Sequence, residues 1–313
     1  MFISRPSSNK SLCQRVSWQS IDRAYLHRLI YMAKEEDLAG AGFGHSPAGY
    51  GDVTTRTMIA HKNGSARIVA REDLYVCGVT LIPEILEVYA EDRHIEVDAR
   101  VRDGQRIPAG REIAILRGDI STLLTAERVI LNFLQHLSGI ATTTARYVEA
   151  LGDSPTRILD TRKTTPGFRI LEKYAVACGG GWNHRMGLYD RIMIKDNHLA
   201  AAGENGGDLG SLIRRMSTEY PDLVIEVEVD EIHQIPGILR ARPDVILLDN
   251  FSTDQLMEAV ALIAGKCATE ASGGIQLENL AELGQLGLDF ISCGALTHQS
   301  TWNDIGMDWG MKE

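Results

Sequence analysis

Six short apolar runs, "RILDT", "RIMIKD", "LVIEVEV", "VILLDN", "CATEAS" and "DFISCG", each give way to polar or glycine residues, and this repeat restricts the chain beyond about residue 156 to a serial strand–helix architecture. Segments of helical spacing follow most of them: Leu209–Tyr220, Glu231–Arg240, Thr253–Ala264 and Leu277–Leu286. The later strand ends, Glu228, Asp249, Ser272 and Gly294, recur roughly every 22 residues, which suits short parallel strands joined by crossover helices. In an α/β barrel the carboxyl ends of all strands meet at one mouth, whereas an open doubly wound sheet spreads them along a row. Arg162, Lys163, Lys195, Glu228, Asp249, Ser272 and Gly294 all fall at such ends, and their convergence favours the barrel.

The first half has a different rhythm. From Trp18 to about Leu38, Ile21, Tyr25, Leu29 and Met32 recur at helical spacing, with Ser20 available as N-cap. Residues 53–118 alternate instead: "SARIVARED", "HIEVDARV" and "REIAILRG" read as antiparallel strands around a helix at Leu81–Tyr89. The stretch "VRDGQRIPAGREIAIL" is a little like half of a biotinyl or lipoyl carrier, but it has no lysine to modify, so a structural barrel or sandwich is expected. Ser121 or Thr122 can cap a long helix through Leu137, and the small residues Ser138–Gly139 read as a turn and a domain junction. Arg128 is offset from that helix's leucine stripe and, on the residues alone, reads as a solvated arginine.

Composition excludes several classes. With 313 residues and 44% hydrophobic content the chain can bury a large core, and disorder as its main state is excluded. A formal charge of −10 argues against a nucleic-acid or anionic-membrane binder, so an anionic ligand must be met by local cations. No apolar run approaches the roughly 20 residues of a membrane span. Cys13, Cys77, Cys178, Cys267 and Cys293 are odd in number and scattered, which fits a reducing cytoplasm and neither a disulfide framework nor a zinc knuckle. Residues 1–17, serine-rich and without an acid, are expected to form a solvated, disordered extension.

Three groups of strand-end residues carry the chemistry. Glu228 shares a strand face with Glu226, and Asp249 ends the apolar run "VILLD". Buried carboxylates need cations, so the pair fits either a structural ion pair or a Mg²⁺ site completed by water and substrate oxygens. Ser272, Gly273 and Gly274, with Gly294 and Ala295 on the next unit, offer backbone N–H groups to a phosphate. The third group is cationic: "DTRKTTPGFR" followed by "GGGWNHRMGLYDRIMIKDNH" brings Thr161, Arg162, Lys163, His184, Arg185 and Lys195 toward one mouth. Cations so gathered repel unless an anion lies among them, and arginine forks suit carboxylates.

These segments, with "AERVILNFLQHLSGIAT", "EVEV", "LLDN", "SGGI" and "GALTH", closely resemble the quinolinate phosphoribosyltransferases across nearly all of the chain beyond the extension. The resemblance implies an N-terminal α/β sandwich domain over 18–138, an incomplete α/β barrel over 139–298 and a segment 299–313 packing back on the first domain. It implies transfer of phosphoribosyl from 5-phosphoribosyl-1-pyrophosphate to quinolinate with decarboxylation, a step of NAD biosynthesis. It also implies a homodimer with shared sites, higher assembly being left open. Carried over by motif, Arg128 would reach the partner's quinolinate, and Arg162, His184, Arg185 and Lys195 would bind it, with Lys163 close to both substrates. Glu228 and Asp249 would meet the ribose hydroxyls and Mg²⁺; Ser272, Gly273, Gly274, Gly294, Ala295 and His298 would hold phosphate. Phe168, Ala271 and Gln299 depart from the commonest pattern without removing a charged ligand. Another acceptor on the same scaffold, a Schiff-base lyase using Lys195 and a non-catalytic phosphosugar sensor are the alternatives.

Overall fold

The computed structural model describes residues 11–44, 51–59, 62–90, 93–195 and 209–310. Residues 1–10 of the expected extension and the Asp196–His198 end of the Ile-Lys-Asp-Asn-His motif lie outside them. The chain forms two units, one from the described parts of Met1–Arg15, Arg146–Thr164 and Gly181–Gln299, the other from Val16–Ala145, Thr165–Gly180 and Ser300–Glu313.

The second of these units is built on a four-stranded antiparallel sheet. Its strands are β1 (Asn63–Ala70), β3 (Glu96–Ala99), β5 (Glu112–Asp119) and β12 (Ile305–Gly310), in the order β12-β1-β5-β3. A small ribbon pairs β2 (Leu74–Tyr75) with β4 (Arg106–Ile107). The helix Leu81–Ala90 buries Leu81, Ile82, Ile85, Leu86 and Tyr89, the expected stripe. The first α-helix, Arg23–Ala39, starts two residues later than Ser20 would place it. Asp22 is the cap, its Oδ1 accepting from the Ala24 and Tyr25 amides, while Ser20 closes a 3-10 turn with Ser17.

The expected turn at Ser138–Gly139 is absent, because the helix Ile120–Ala150 runs straight through it. Asp119, not Ser121 or Thr122, supplies the capping oxygen, 2.9 Å from the Thr122 amide. Ser138 and Gly139 are small because other backbone crosses there. Ser138 Oγ accepts from the Cys77 amide at 3.0 Å, and a Cβ on Gly139 would lie 2.1 Å from the Thr301 carbonyl oxygen. The compact units divide at Arg146, inside the helix.

The other unit holds six parallel strands: β6 (Arg157–Leu159), β7 (Ile192–Ile194), β8 (Ile225–Val229), β9 (Val245–Asp249), β10 (Ala268–Ser272) and β11 (Phe290–Ser292). Their order is β6-β11-β10-β9-β8-β7, so every neighbour is sequential except that the first strand joins the last, as in a barrel left open between β6 and β7. At the open edge Trp182 makes a single parallel bridge to Leu159 of β6, and Gln14 pairs with Asn183.

That pairing corrects the expected extension. Within residues 1–17, the described segment from Ser11 to Arg15 closes the amino end of the barrel. Cys13 packs with Val224, Val245, Ala268 and Phe290 at the starts of four strands, and Arg15 lies over the Trp182 ring, 4.4 Å from its centroid, with its Nε donating to the Gly181 carbonyl. Burial of Leu12 and Cys13 offsets the entropy of ordering so short a segment.

Replacing an exposed helix-interior glycine by alanine normally stabilises by about 0.5–1 kcal/mol. Gly139→Ala should do the opposite and cost about 1–3 kcal/mol in a urea titration, because the new methyl meets backbone. A more stable variant would contradict the close packing of Thr301 on this helix.

Candidate active site

Alternation along a barrel strand sends every second side chain inward, so the interior is a stack of layers. The lowest is apolar, formed by Val224, Val245, Ala268 and Phe290. The uppermost consists of residues at the strand ends, and it opens into a cavity of about 740 Å³. Thr161, Arg162 and Lys163 reach this cavity beyond β6, and His184 and Arg185 before β7. Lys195 after β7, Glu228 of β8, Asp249 of β9, and Ser272, Gly273 and Gly274 at the end of β10 line it too. Gly294, Ala295 and His298 complete it beyond β11. Arg128 is exposed on the long helix and is not among its lining residues.

Opposite charges are held close at the mouth. Lys195 Nζ donates to Glu228 Oε2 at 2.5 Å. Burial, and then the guanidinium of Arg162, hold the pKa of Arg185 below its ordinary value. The glycines serve approach. A Cβ on Gly294 would lie 2.9 Å from both Lys163 Cδ and His298 Nε2, and one on Gly273, whose φ is +85°, would lie 2.1 Å from Asn250 Oδ1. Thr297 Oγ1 donates to the Lys163 carbonyl at 2.8 Å and fixes the loop beyond β6.

The middle layer is charged, and apart from His184 its members were not assigned from sequence. Glu226 of β8 and Glu270 of β10 are both 0% exposed, and Glu270 lines the cavity floor. Arg191, at the foot of β7, lies with Nη1 2.8 Å from Glu226 Oε2 and 3.9 Å from Glu270 Oε2, and its Nη2 donates to the Leu12 carbonyl. His184 Nε2 lies 3.2 Å from Glu226 and 3.3 Å from Glu270. Asp160, just beyond β6, accepts the His184 amide at 2.9 Å and the Asn183 side-chain amide at 2.7 Å, which fixes the loop that carries the imidazole. His184, Glu226 and Glu270 could gather a metal ion, but Arg191 already supplies a cation to both carboxylates.

Burial works against a charge on His184, yet Glu270 and Glu226 outweigh it and push the imidazole pKa up to about 9. Burial would likewise raise Glu226, but His184 and then Arg191 hold its carboxyl down at about 2. The sequence signal for this layer was present but weak: Glu226 and Glu270 each stand two residues before a recognised strand-end residue, on the same strand face.

A sequence model described as quinolinate phosphoribosyl transferase, N-terminal domain, matches residues 52–138, and one described as its C-terminal domain matches residues 140–308. A probable nicotinate-nucleotide pyrophosphorylase [carboxylating] of Synechocystis is 41% identical over 262 residues, 83% of this chain and 87% of that protein. Its Bacillus subtilis counterpart is 42% identical over 83% of this chain and 88% of its own length. The structure of the nicotinate-nucleotide pyrophosphorylase from Francisella tularensis superposes with a TM-score of 0.83 at 33% identity, covering 95% of this chain and 100% of that one.

His184 has a raised pKa, so its contribution to stability is complete below the ordinary value of 6.5 and is lost as pH rises through about 9. Glu226 has a lowered pKa, so its contribution is present above 4.5 and is lost as pH falls through about 2. The unfolding temperature should therefore decline between about pH 7 and about pH 9.5, and His184→Gln should flatten that decline. An unaltered slope in the variant would show that His184 is not the group responsible.

Proposed function

The chain belongs to the quinolinate phosphoribosyltransferase family, and from that premise we propose that its barrel cavity transfers the phosphoribosyl group of 5-phosphoribosyl-1-pyrophosphate to the ring nitrogen of quinolinate with loss of carbon dioxide, giving nicotinate mononucleotide and pyrophosphate. One observation carries this reading. Arg162, Lys163, Arg185 and Lys195 share a single mouth with Glu228, Asp249 and two glycine turns, a set that suits a dianionic acceptor and a polyanionic donor together.

The chemistry asks little covalent work of the protein. As pyrophosphate leaves, the ribosyl carbon becomes oxocarbenium-like, so the chain must hold the leaving group with cations and the pyridine nitrogen in line. Arg162, Arg185, His184 and Lys195 orient the acceptor, and Lys163 lies where donor and acceptor meet. A neutral ring nitrogen attacks without a general base. Once alkylated it is cationic and stabilises the electron pair left on the ring carbon as the adjacent carboxylate departs as carbon dioxide, and that carbon then takes a proton from water. Lys195 Nζ is engaged by Glu228 Oε2 at the mouth, which suits an anion-binding role better than that of a Schiff-base nucleophile.

Two carboxylates on the neighbouring strands β8 and β9, Glu228 and Asp249, are hard oxygen donors facing a phosphate site, a donor set that fits Mg²⁺ with its other positions filled by water and substrate. When bound, the ion would offset charge on pyrophosphate. Ser272, Gly273, Gly274, Gly294, Ala295 and His298 serve the donor's phosphate, since the glycines let an anion reach backbone N–H groups. Arg128, exposed on its helix, is assigned to the cavity of a second copy in a homodimer. No helix of the described residues is long and apolar enough to cross a membrane, and the five free cysteines fit a cytoplasmic place.

Carbon dioxide and pyrophosphate should appear together from quinolinate plus donor, and not when nicotinate replaces quinolinate; equal turnover of nicotinate would remove the assignment. The shared site has its own test. Arg128→Ala and Lys195→Ala should each be inactive alone, yet their mixture should recover activity approaching roughly one quarter of wild type after subunit exchange, because about half the dimers are mixed and half of their sites carry neither change. No recovery despite proven exchange would confine Arg128 to its own subunit.

A further inference from the structure

Among the described residues, Arg242, Asn250 and Ala264 have a left-handed backbone without being glycine. Arg242 and Ala264 end the helices Ile235–Ala241 and Thr253–Ile263, where that conformation is ordinary. Asn250 ends no helix. It follows Asp249 of β9 directly, with φ +57°, a conformation that asparagine tolerates better than most residues but that still needs a local reason.

That reason is what the turn does with the side chain. Asp249 and Ser272 pair across β9 and β10, and the Asn250 amide then donates to the Ser272 carbonyl at 2.8 Å, which ties the backbone after β9 to the glycine turn after β10. Asn250 Oδ1 lies against Gly273, where a Cβ would come within 2.1 Å of it. So packed, Oδ1 faces the turn and Nδ2 faces Asp249, donating to its Oδ2 at 2.8 Å. Asn250 is exposed, and a freely rotating amide in water would hold its neighbour little. Here the left-handed backbone and Gly273 fix the amide in place for the carboxylate. We propose that Asn250 is a positioning residue: it takes up Asp249 Oδ2 and turns Oδ1 toward the cavity, where Oδ1 accepts a ribose hydroxyl of the phosphoribosyl donor. This rests on the cavity being a phosphoribosyl-donor site. Asn250 is not among the residues lining that cavity, so it acts through Asp249.

The test pairs turnover with binding in the full-length enzyme. Asn250→Gly keeps the left-handed backbone and removes the amide, whereas Asn250→Asp keeps the shape and removes only the Nδ2 donor. Asn250→Gly should raise KM for 5-phosphoribosyl-1-pyrophosphate roughly 5- to 30-fold and leave KM for quinolinate within about twofold. By calorimetry without added metal, both variants should weaken ribose 5-phosphate by a similar factor. Inorganic phosphate, which meets the glycine turns and not Asp249, should bind within about twofold of wild type. In an Asp249→Ala background, Asn250→Gly should cost ribose 5-phosphate less than about twofold, since the residue through which it acts is gone. An unchanged KM for the donor, an Asn250→Asp variant that binds ribose 5-phosphate like wild type, or the full loss persisting without Asp249 would overturn the proposal. So would an equal loss of phosphate and ribose 5-phosphate binding, which would make Asn250 a support of the glycine turn alone. Wild type assayed in parallel separates the two levels: if it does not turn over quinolinate with the donor the functional reading fails, whereas turnover with an unchanged donor KM in Asn250→Gly removes only the positioning role.

Discussion

Two carboxylates inside a barrel set the terms for everything around them. Glu226 and Glu270 stand one layer below the mouth with no exposed surface, where an unpaired charge costs several kcal/mol. Their cations come from outside the strands, Arg191 from the foot of β7 and His184 from the loop before it. To deliver them the chain must hold that loop against the open edge between β6 and β7. It does so with Asp160, whose carboxylate receives the His184 amide and the Asn183 side chain, and with the Trp182 bridge to Leu159. Arg191 in turn donates to the Leu12 carbonyl, so the segment that closes the amino end of the barrel is tied to the same charges. The opening in the barrel wall is thereby occupied by the elements that bring cations to its interior.

The sequence made the uppermost layer readable and hid the one beneath. Arg162, Lys195, Glu228, Asp249 and Ser272 interrupt apolar runs, and at the end of a strand such an interruption has one economical meaning. Glu226 and Glu270 lie within strands. In a parallel sheet buried on both faces, periodicity does not distinguish the barrel interior from the side covered by helices. Arg191 precedes a strand and looks like any solvated cation until its partners are known. Ser138–Gly139 misled for a related reason: small residues mark turns and close approaches alike, and only tertiary structure reveals the Thr301 backbone against Gly139. Residues 11–15 are too short for any periodic signal, yet Cys13 meets four strands.

The same layering connects stability to function. The apolar layer and the helices stabilise the barrel without regard to ligand, while the charged layer is nearly balanced in itself and leaves the mouth with an excess of cations over two carboxylates. A site of that kind is poorly satisfied when empty and well satisfied by polyanions, which is the requirement for binding pyrophosphate and a dicarboxylate beside one another. Glycine at Gly273 and Gly294 allows that crowding, because side chains of neighbouring loops already occupy the space a Cβ would take.

The charge balance inside the barrel depends on His184 being a cation paired with buried carboxylates. Nitrogen-15 NMR of the histidine ring in the ligand-free protein, followed from about pH 6 to about pH 10, measures this directly. Both ring nitrogens should remain protonated at neutral pH and titrate near 9. A ring that titrates at or below the ordinary value of 6.5 would contradict the charge balance proposed for the barrel interior.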